Sequence, residues 1–166
     1  MTSDQLIDQW RRGLRIAHRA HYEAAKYYQR LHLMLGIPTL IISTLFGTSV
    51  FANLQYSDVA WIKFALAVLS LAMIVLSALQ TFLRYSERSE RHRTAAVQLG
   101  EVRRELEQSL VFRDKQGIDE ATMKALREKW DAVDRQAPTV PTAIYNQTER
   151  QVGEAEFPPD RDSQKR

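Results

Sequence analysis

Two stretches free of Asp, Glu, Lys and Arg, Leu33–Ser57 and Phe64–Leu83, constrain this 166-residue chain more than anything else in it. A helix needs about 20 residues to cross a hydrocarbon core of about 30 Å, and each stretch is long enough. The second, FALAVLSLAMIVLSALQTFL, is apolar on every side. A helix with no polar stripe must be surrounded by protein or by lipid, and a chain this short cannot wrap two of them in its own polypeptide. Both are therefore read as membrane spans. A cleaved signal peptide does not fit, although Val50-Phe51-Ala52 loosely resembles a cleavage site. The apolar region begins more than thirty residues into the chain and exceeds the roughly 7 to 15 residues of a signal core.

The mean hydropathy of -0.36 suggests a soluble protein only because the charge is segregated. Between Leu33 and Leu83 only Asp58 and Lys63 are charged, whereas Arg11, Arg12, Arg15, Arg19, Lys26 and Arg30 precede the first span and Arg84, Arg88, Arg91, Arg93, Arg103 and Arg104 follow the second. Basic flanks stay in the cytoplasm, so both termini are expected there, with the connection near Ser57 outside. Tyr56, Trp61 and Tyr85 fall near the span ends, where interfacial aromatics belong. The net charge of +3, with acids accompanying bases along most of the chain, argues against a nucleic-acid surface. The absence of cysteine removes disulfides, thiolate metal sites and cysteine nucleophiles together, which fits a cytosol-facing protein.

Outside the spans the pattern becomes helical and amphipathic. Ile7, Trp10, Leu14, Ala17, His21, Ala24, Tyr28, Leu31 and Leu35 recur in steps of three and four, a heptad seam on one helix that leads into the first span, with Ser3 or Asp4 as its cap. Ala95, Leu99, Val102, Leu106 and Leu110 repeat that spacing after the second span, which is expected to continue as helix because no proline lies between Pro38 and Pro138. Counted outward from Ser57, Leu35 lies level with about Leu79, His21 with about Arg93, and Ile7 with about Glu107. The expected fold is an all-α membrane protein: a two-transmembrane helical hairpin over residues 1–152, with spans at about 33–55 and 63–83, continued by antiparallel cytoplasmic arms at about 4–32 and 84–112. RDKQG at 113–117 breaks the pattern, and Asp119 is the expected cap of a third helix, about 119–136, whose stripe of Met123, Leu126, Trp130, Val133 and Ala137 packs back on the arms. PTVP at 138–141 stops it. Ala143–Val152 adds a short helix, and 153–166 reads as a disordered tail.

Little in the chain carries chemistry. His18 and His21 share a helix face with Glu23 nearby, yet His21 falls on the heptad seam and no further ligand obviously converges, so no metal is expected. There is no Gly-rich phosphate loop, nucleophile elbow or HExxH, so neither a cofactor nor an enzymatic reaction is expected. The spans hold no ionisable side chain on which an ion-coupled transporter would depend. Their polarity is mild: Ser70, Ser77, Gln80 and Thr81 occupy one broad sector of the second span, and Thr44, Gly47 and Thr48 cluster on the first. Such residues let helices approach closely and hydrogen-bond across their contact, or, in an oligomer, line an aqueous lumen. Both roles stay open. Gly36 and Pro38 mark the entry to the first span, where proline leaves the carbonyl near Met34 without its amide donor. That site is either a hinge passing a change in the arms to the spans or a static bend.

HRAHYEAAKYYQRLH, LGIPTLIISTLFGT and ALQTFLRYSERSERHRTAA, spanning roughly residues 10 to 112, resemble the SLATT family, two-transmembrane effector domains associated with bacterial nucleotide-sensing conflict systems. The resemblance implies a multi-pass inner-membrane effector that assembles as a homo-oligomer in the bilayer. It would permeabilise the membrane in a conflict or anti-phage response. The lumen would lie among the seven span residues above, with Gly36 and Pro38 as the hinge. With no nucleotide-binding segment fused in these residues, the expected trigger is a separate nucleotide-sensing or nucleotide-synthesising protein. A non-conducting anchor that recruits a soluble partner through its cytoplasmic helices is the alternative. A small-molecule sensor with a pocket between arms and membrane has no residue constellation behind it.

Overall fold

The computed structural model describes residues 3–56, 60–112 and 118–156, and their side chains over 5–48, 60–112 and 118–153. Within them every element is a helix: α1 (Ser3–Tyr56), α2 (Ala60–Leu83), α3 (Tyr85–Val111), α4 (Glu120–Gln136) and α5 (Thr142–Glu156). The expected tip at Ser57 and the RDKQG break at 113–117 lie outside the described residues. α5 reaches Glu156, so residues 153–156 are helical where the tail was expected to begin, and 157–166 lie outside the description.

The chain forms two compact units, one of Met1–Lys26 with Ser89–Arg166 and one of Tyr27–Arg88. In the first, the heptad positions of α1 and α3 become a core. Leu14, Leu99, Val102 and Leu106 cluster with Leu126 of α4, and Trp10, Ala17, Leu110, Ile118, Trp130 and Val133 pack around them. Small residues set the spacing: Ala20, Ala24, Ala95 and Ala96 are fully or nearly fully buried. At Gly13 a Cβ would lie 3.0 Å from the indole of Trp130, which also meets Trp10 edge-on at 6.1 Å. Asp119 caps α4 as the sequence predicts, accepting from the amide and hydroxyl of Thr122. Those bonds hold its carboxyl below the usual carboxylate range. The ion pair of Lys129 with Glu105 of α3 is solvent-exposed and contributes at most about 1 kcal/mol.

In the second unit, the less exposed positions of α2, Ile62, Leu66, Leu69, Met73, Leu76, Gln80 and Leu83, repeat at four and three residues. Tyr28, Leu31, Leu35, Thr39, Ile42 and Phe46 do the same on α1. Much of the rest of each span is bare: Leu40 is 69% exposed, Phe64 72% and Phe82 84%. A core helix of a soluble protein would be mostly buried, whereas none of the apolar window on either helix is. Lipid is the solvent that accommodates such a surface.

One expectation fails at the end of α2. The second span does not run uninterrupted into α3, because Arg84 stands between them with a φ of 46°. A side chain in the left-handed region costs roughly 1 to 2 kcal/mol, a cost glycine avoids. The hydrogen-bond ladder nevertheless crosses the break, Arg84 N–H donating to the Gln80 carbonyl at 3.3 Å and Arg88 N–H to the Arg84 carbonyl at 3.1 Å.

Two stability measurements follow. Leu99→Ala is expected to destabilise the first unit by about 2 to 5 kcal/mol, as for a fully buried leucine, in thermal unfolding of the detergent-purified chain. Arg84→Gly is expected to stabilise the chain by up to about 1 kcal/mol by removing the backbone strain; a loss of stability would contradict the left-handed turn.

Candidate functional site

Proline at position 38 shapes the polar site of the second unit. Its ring withholds the amide that would reach the Met34 carbonyl and crowds the preceding turn of α1. The next carbonyl, that of Leu35, accepts two side-chain donors: Thr39 Oγ1 at 2.7 Å and, from α2, Gln80 Nε2 at 3.0 Å. Gln80 Nε2 also lies 2.9 Å from Thr39 Oγ1. Because the Thr39 proton serves Leu35, its oxygen accepts from the Gln80 amide. Ser43 continues the chain by donating to the Thr39 carbonyl at 2.7 Å. A primary amide in a charge-free span has no water to fall back on, so these bonds offset its desolvation.

The seven polar span residues thus separate into two groups. Gln80 turns to α1. Thr44, Thr48, Ser77 and Thr81 are exposed, and Gly47 and Ser70 are half-buried. Most hydroxyls satisfy themselves on their own helix: Thr44 donates to the Leu40 carbonyl, Thr48 to Thr44, Ser70 to Ala67 and Thr81 to Ser77. These back-bonded hydroxyls have no need of water and can face lipid or a lumen. Ser77 and Thr81 share an open groove with Met73, Ile74, Ala78, Phe82 and Arg84. Cβ positions at Gly36 and Gly47 meet nothing within 4 Å. At the end of this unit Tyr28 stacks on Tyr85 at 6.1 Å, with the Arg88 guanidinium 6.0 Å from the Tyr28 ring.

The first unit buries a histidine pair. His21 Nδ1 of α1 lies 3.1 Å from His92 Nδ1 of α3, and the side chains are 7% and 2% exposed. A bond between two like nitrogens needs a proton on one and a lone pair on the other, so at least one of the two rings is neutral. Burial, then the proximity of His92, lowers the His21 pKa to about 4; burial lowers that of His92 as well. His18, one turn before His21 on α1, lies against Gly100 of α3, where a Cβ would be 3.2 Å from its Nε2. Burial, then Arg103 and Arg104, depresses its pKa. Among the described residues no three His, Asp or Glu side chains gather as metal ligands.

Thr39, Ser43 and His92 escaped the reading of the sequence. A register count placing Leu35 level with Leu79 points within one residue of Gln80, and Leu35, Thr39 and Ser43 follow one another at steps of four along one face of α1. His92 sits one residue from the position counted opposite His21.

The neutral histidine pair implies a defined acid response. The folded pKa of His21 lies below its ordinary value of 6.5, so the native state binds fewer protons. Its contribution, on the order of 3 kcal/mol, is full above pH of about 6.5 and is lost as pH falls towards about 4. Thermal unfolding of the purified chain from pH 7.5 to 4.5 is expected to show this loss, and the double variant His21→Leu/His92→Leu a flatter profile. Equal slopes would contradict the pair.

The profile of one family, described as "SMODS and SLOG-associating 2TM effector domain family 4", matches residues 4–157. No curated protein and no solved structure matches the chain.

Proposed function

Because the chain belongs to the SLATT family of two-transmembrane effector domains, we propose that it is a multi-pass inner-membrane effector that self-assembles and permeabilises the bilayer when a separate nucleotide-sensing partner signals. The carrying observation is the family match over nearly the whole chain, two apolar helices included. Both termini lie in the cytoplasm, since basic residues flank the spans on the terminal sides while only Asp58 and Lys63 lie between them.

The soluble unit is an antiparallel helical pair with α4 folded back on it. His21 opposite His92 and the Ser89 hydroxyl on the Ala25 carbonyl support the pairing; Leu126 in the core and Lys129 on Glu105 support the packing of α4. This unit receives the partner. Among its described residues the two buried histidines bond to each other instead of facing a cleft, which supports a binding role over a catalytic one. Two spans alone enclose no pathway for ions, so conduction requires several copies. In that assembly Thr44, Thr48, Ser77 and Thr81, exposed on a single copy, line the lumen, while Gly36, Gly47 and Ser70 let neighbouring helices approach.

The self-satisfied hydroxyls favour a second reading, in which the spans only anchor the soluble unit. Induced expression with a membrane-potential dye separates the two. Dye loss is expected when the chain is co-expressed with its cognate sensor, and Ser77→Leu/Thr81→Leu is expected to abolish it at unchanged protein level. No loss under any trigger would favour the anchor.

A further inference from the structure

Among the described residues of the membrane unit, two backbone irregularities, at Pro38 and Arg84, meet at one residue, Gln80. On α1, Pro38 disrupts the ladder and the neighbouring Leu35 carbonyl takes a donor from outside its helix. On α2, the left-handed Arg84 ends the span, and its amide hangs on the carbonyl of Gln80. Gln80 therefore holds α1 through its side chain and the end of α2 through its main chain. An amide is the right group for this. It donates to a carbonyl and a hydroxyl together, it carries no charge to desolvate, and in lipid no water competes for either bond. Leucine would fill similar space and hold neither acceptor.

We propose that Gln80 is a positioning residue, a clamp that keeps the two spans in their resting arrangement at Pro38, so that losing it opens the protein where loss of a lumen residue would block it. The inference deepens the proposed function, in that it assigns the restraint that activation must release. Interhelical hydrogen bonds inside membranes are strong enough to bias a two-state element and weak enough to be broken in use, and removing one shifts such an equilibrium roughly threefold to thirtyfold. Pro38 belongs to the device because it withholds the amide of the Met34 carbonyl and weakens the turn on which Gln80 bears, so that a regular turn there would depend less on Gln80.

Two readouts test this, and the cysteine-free sequence makes the first simple. Met34 and Phe82, 69% and 84% exposed, are replaced by cysteines carrying spin labels in the full chain, reconstituted into phosphatidylethanolamine–phosphatidylglycerol vesicles. Gln80→Leu is expected to broaden and lengthen the distance distribution, and Thr39→Val, which removes one of the two acceptors, to do so less. In a Pro38→Ala background the effect of Gln80→Leu is expected to shrink. The second readout is untriggered dye loss in expressing cells, expected to rise roughly threefold to thirtyfold in Gln80→Leu at equal protein level. An unchanged distribution in both Gln80→Leu and Thr39→Val would overturn the clamp, as would triggered dye loss that vanishes in Gln80→Leu, the behaviour of a lumen residue. Should no version of the chain depolarise cells, the conducting function fails, and the spin-label distances alone still decide the clamp.

Discussion

The organising constraint is solvation. Two helices with apolar residues on all sides cannot be buried by the remainder of a 166-residue chain, and the structure leaves their apolar windows unburied. In lipid that bare surface is at equilibrium, and the cost moves to the few polar groups within it. The chain meets that cost in two ways. Among the described residues, most of its threonines and serines return their protons to carbonyls of their own helix, and the Gln80 amide reaches the other helix at the turn that proline has disturbed.

The unit of Met1–Lys26 with Ser89–Arg166 follows the opposite rule and rests on burial. Leucines at heptad spacing form its centre, alanines bring the helices close, and glycines at 13 and 100 admit an indole and an imidazole. A neutral histidine pair occupies a seam position that an aliphatic residue would fill with less to satisfy. Its consequence is sensitivity to acid, with stability that depends on keeping both rings uncharged.

The heptad seams, the Asp119 cap, the stop at PTVP and both apolar helices were legible because each rests on local chemistry or on a period along one helix. The interruption at Arg84 was not, since arginine carries no local signal for a left-handed conformation and is adopted there against its own preference. Gln80 was visible as a polar residue, but a one-dimensional pattern groups it with Ser77 and Thr81, its near neighbours in sequence. Only α1 separates them, by supplying Leu35 and Thr39 as partners for Gln80. His92 was missed for the same reason: its meaning comes from His21, 71 residues away.

The most direct measurement is where the chain partitions. Expressed protein in vesicles is predicted to float with lipid through a density gradient and to stay in the pellet after alkaline carbonate extraction, as an integral membrane protein does. Recovery of a monodisperse chain in detergent-free buffer, left behind by the floating lipid, would contradict the account at its foundation, since unburied apolar helices cannot remain single in water.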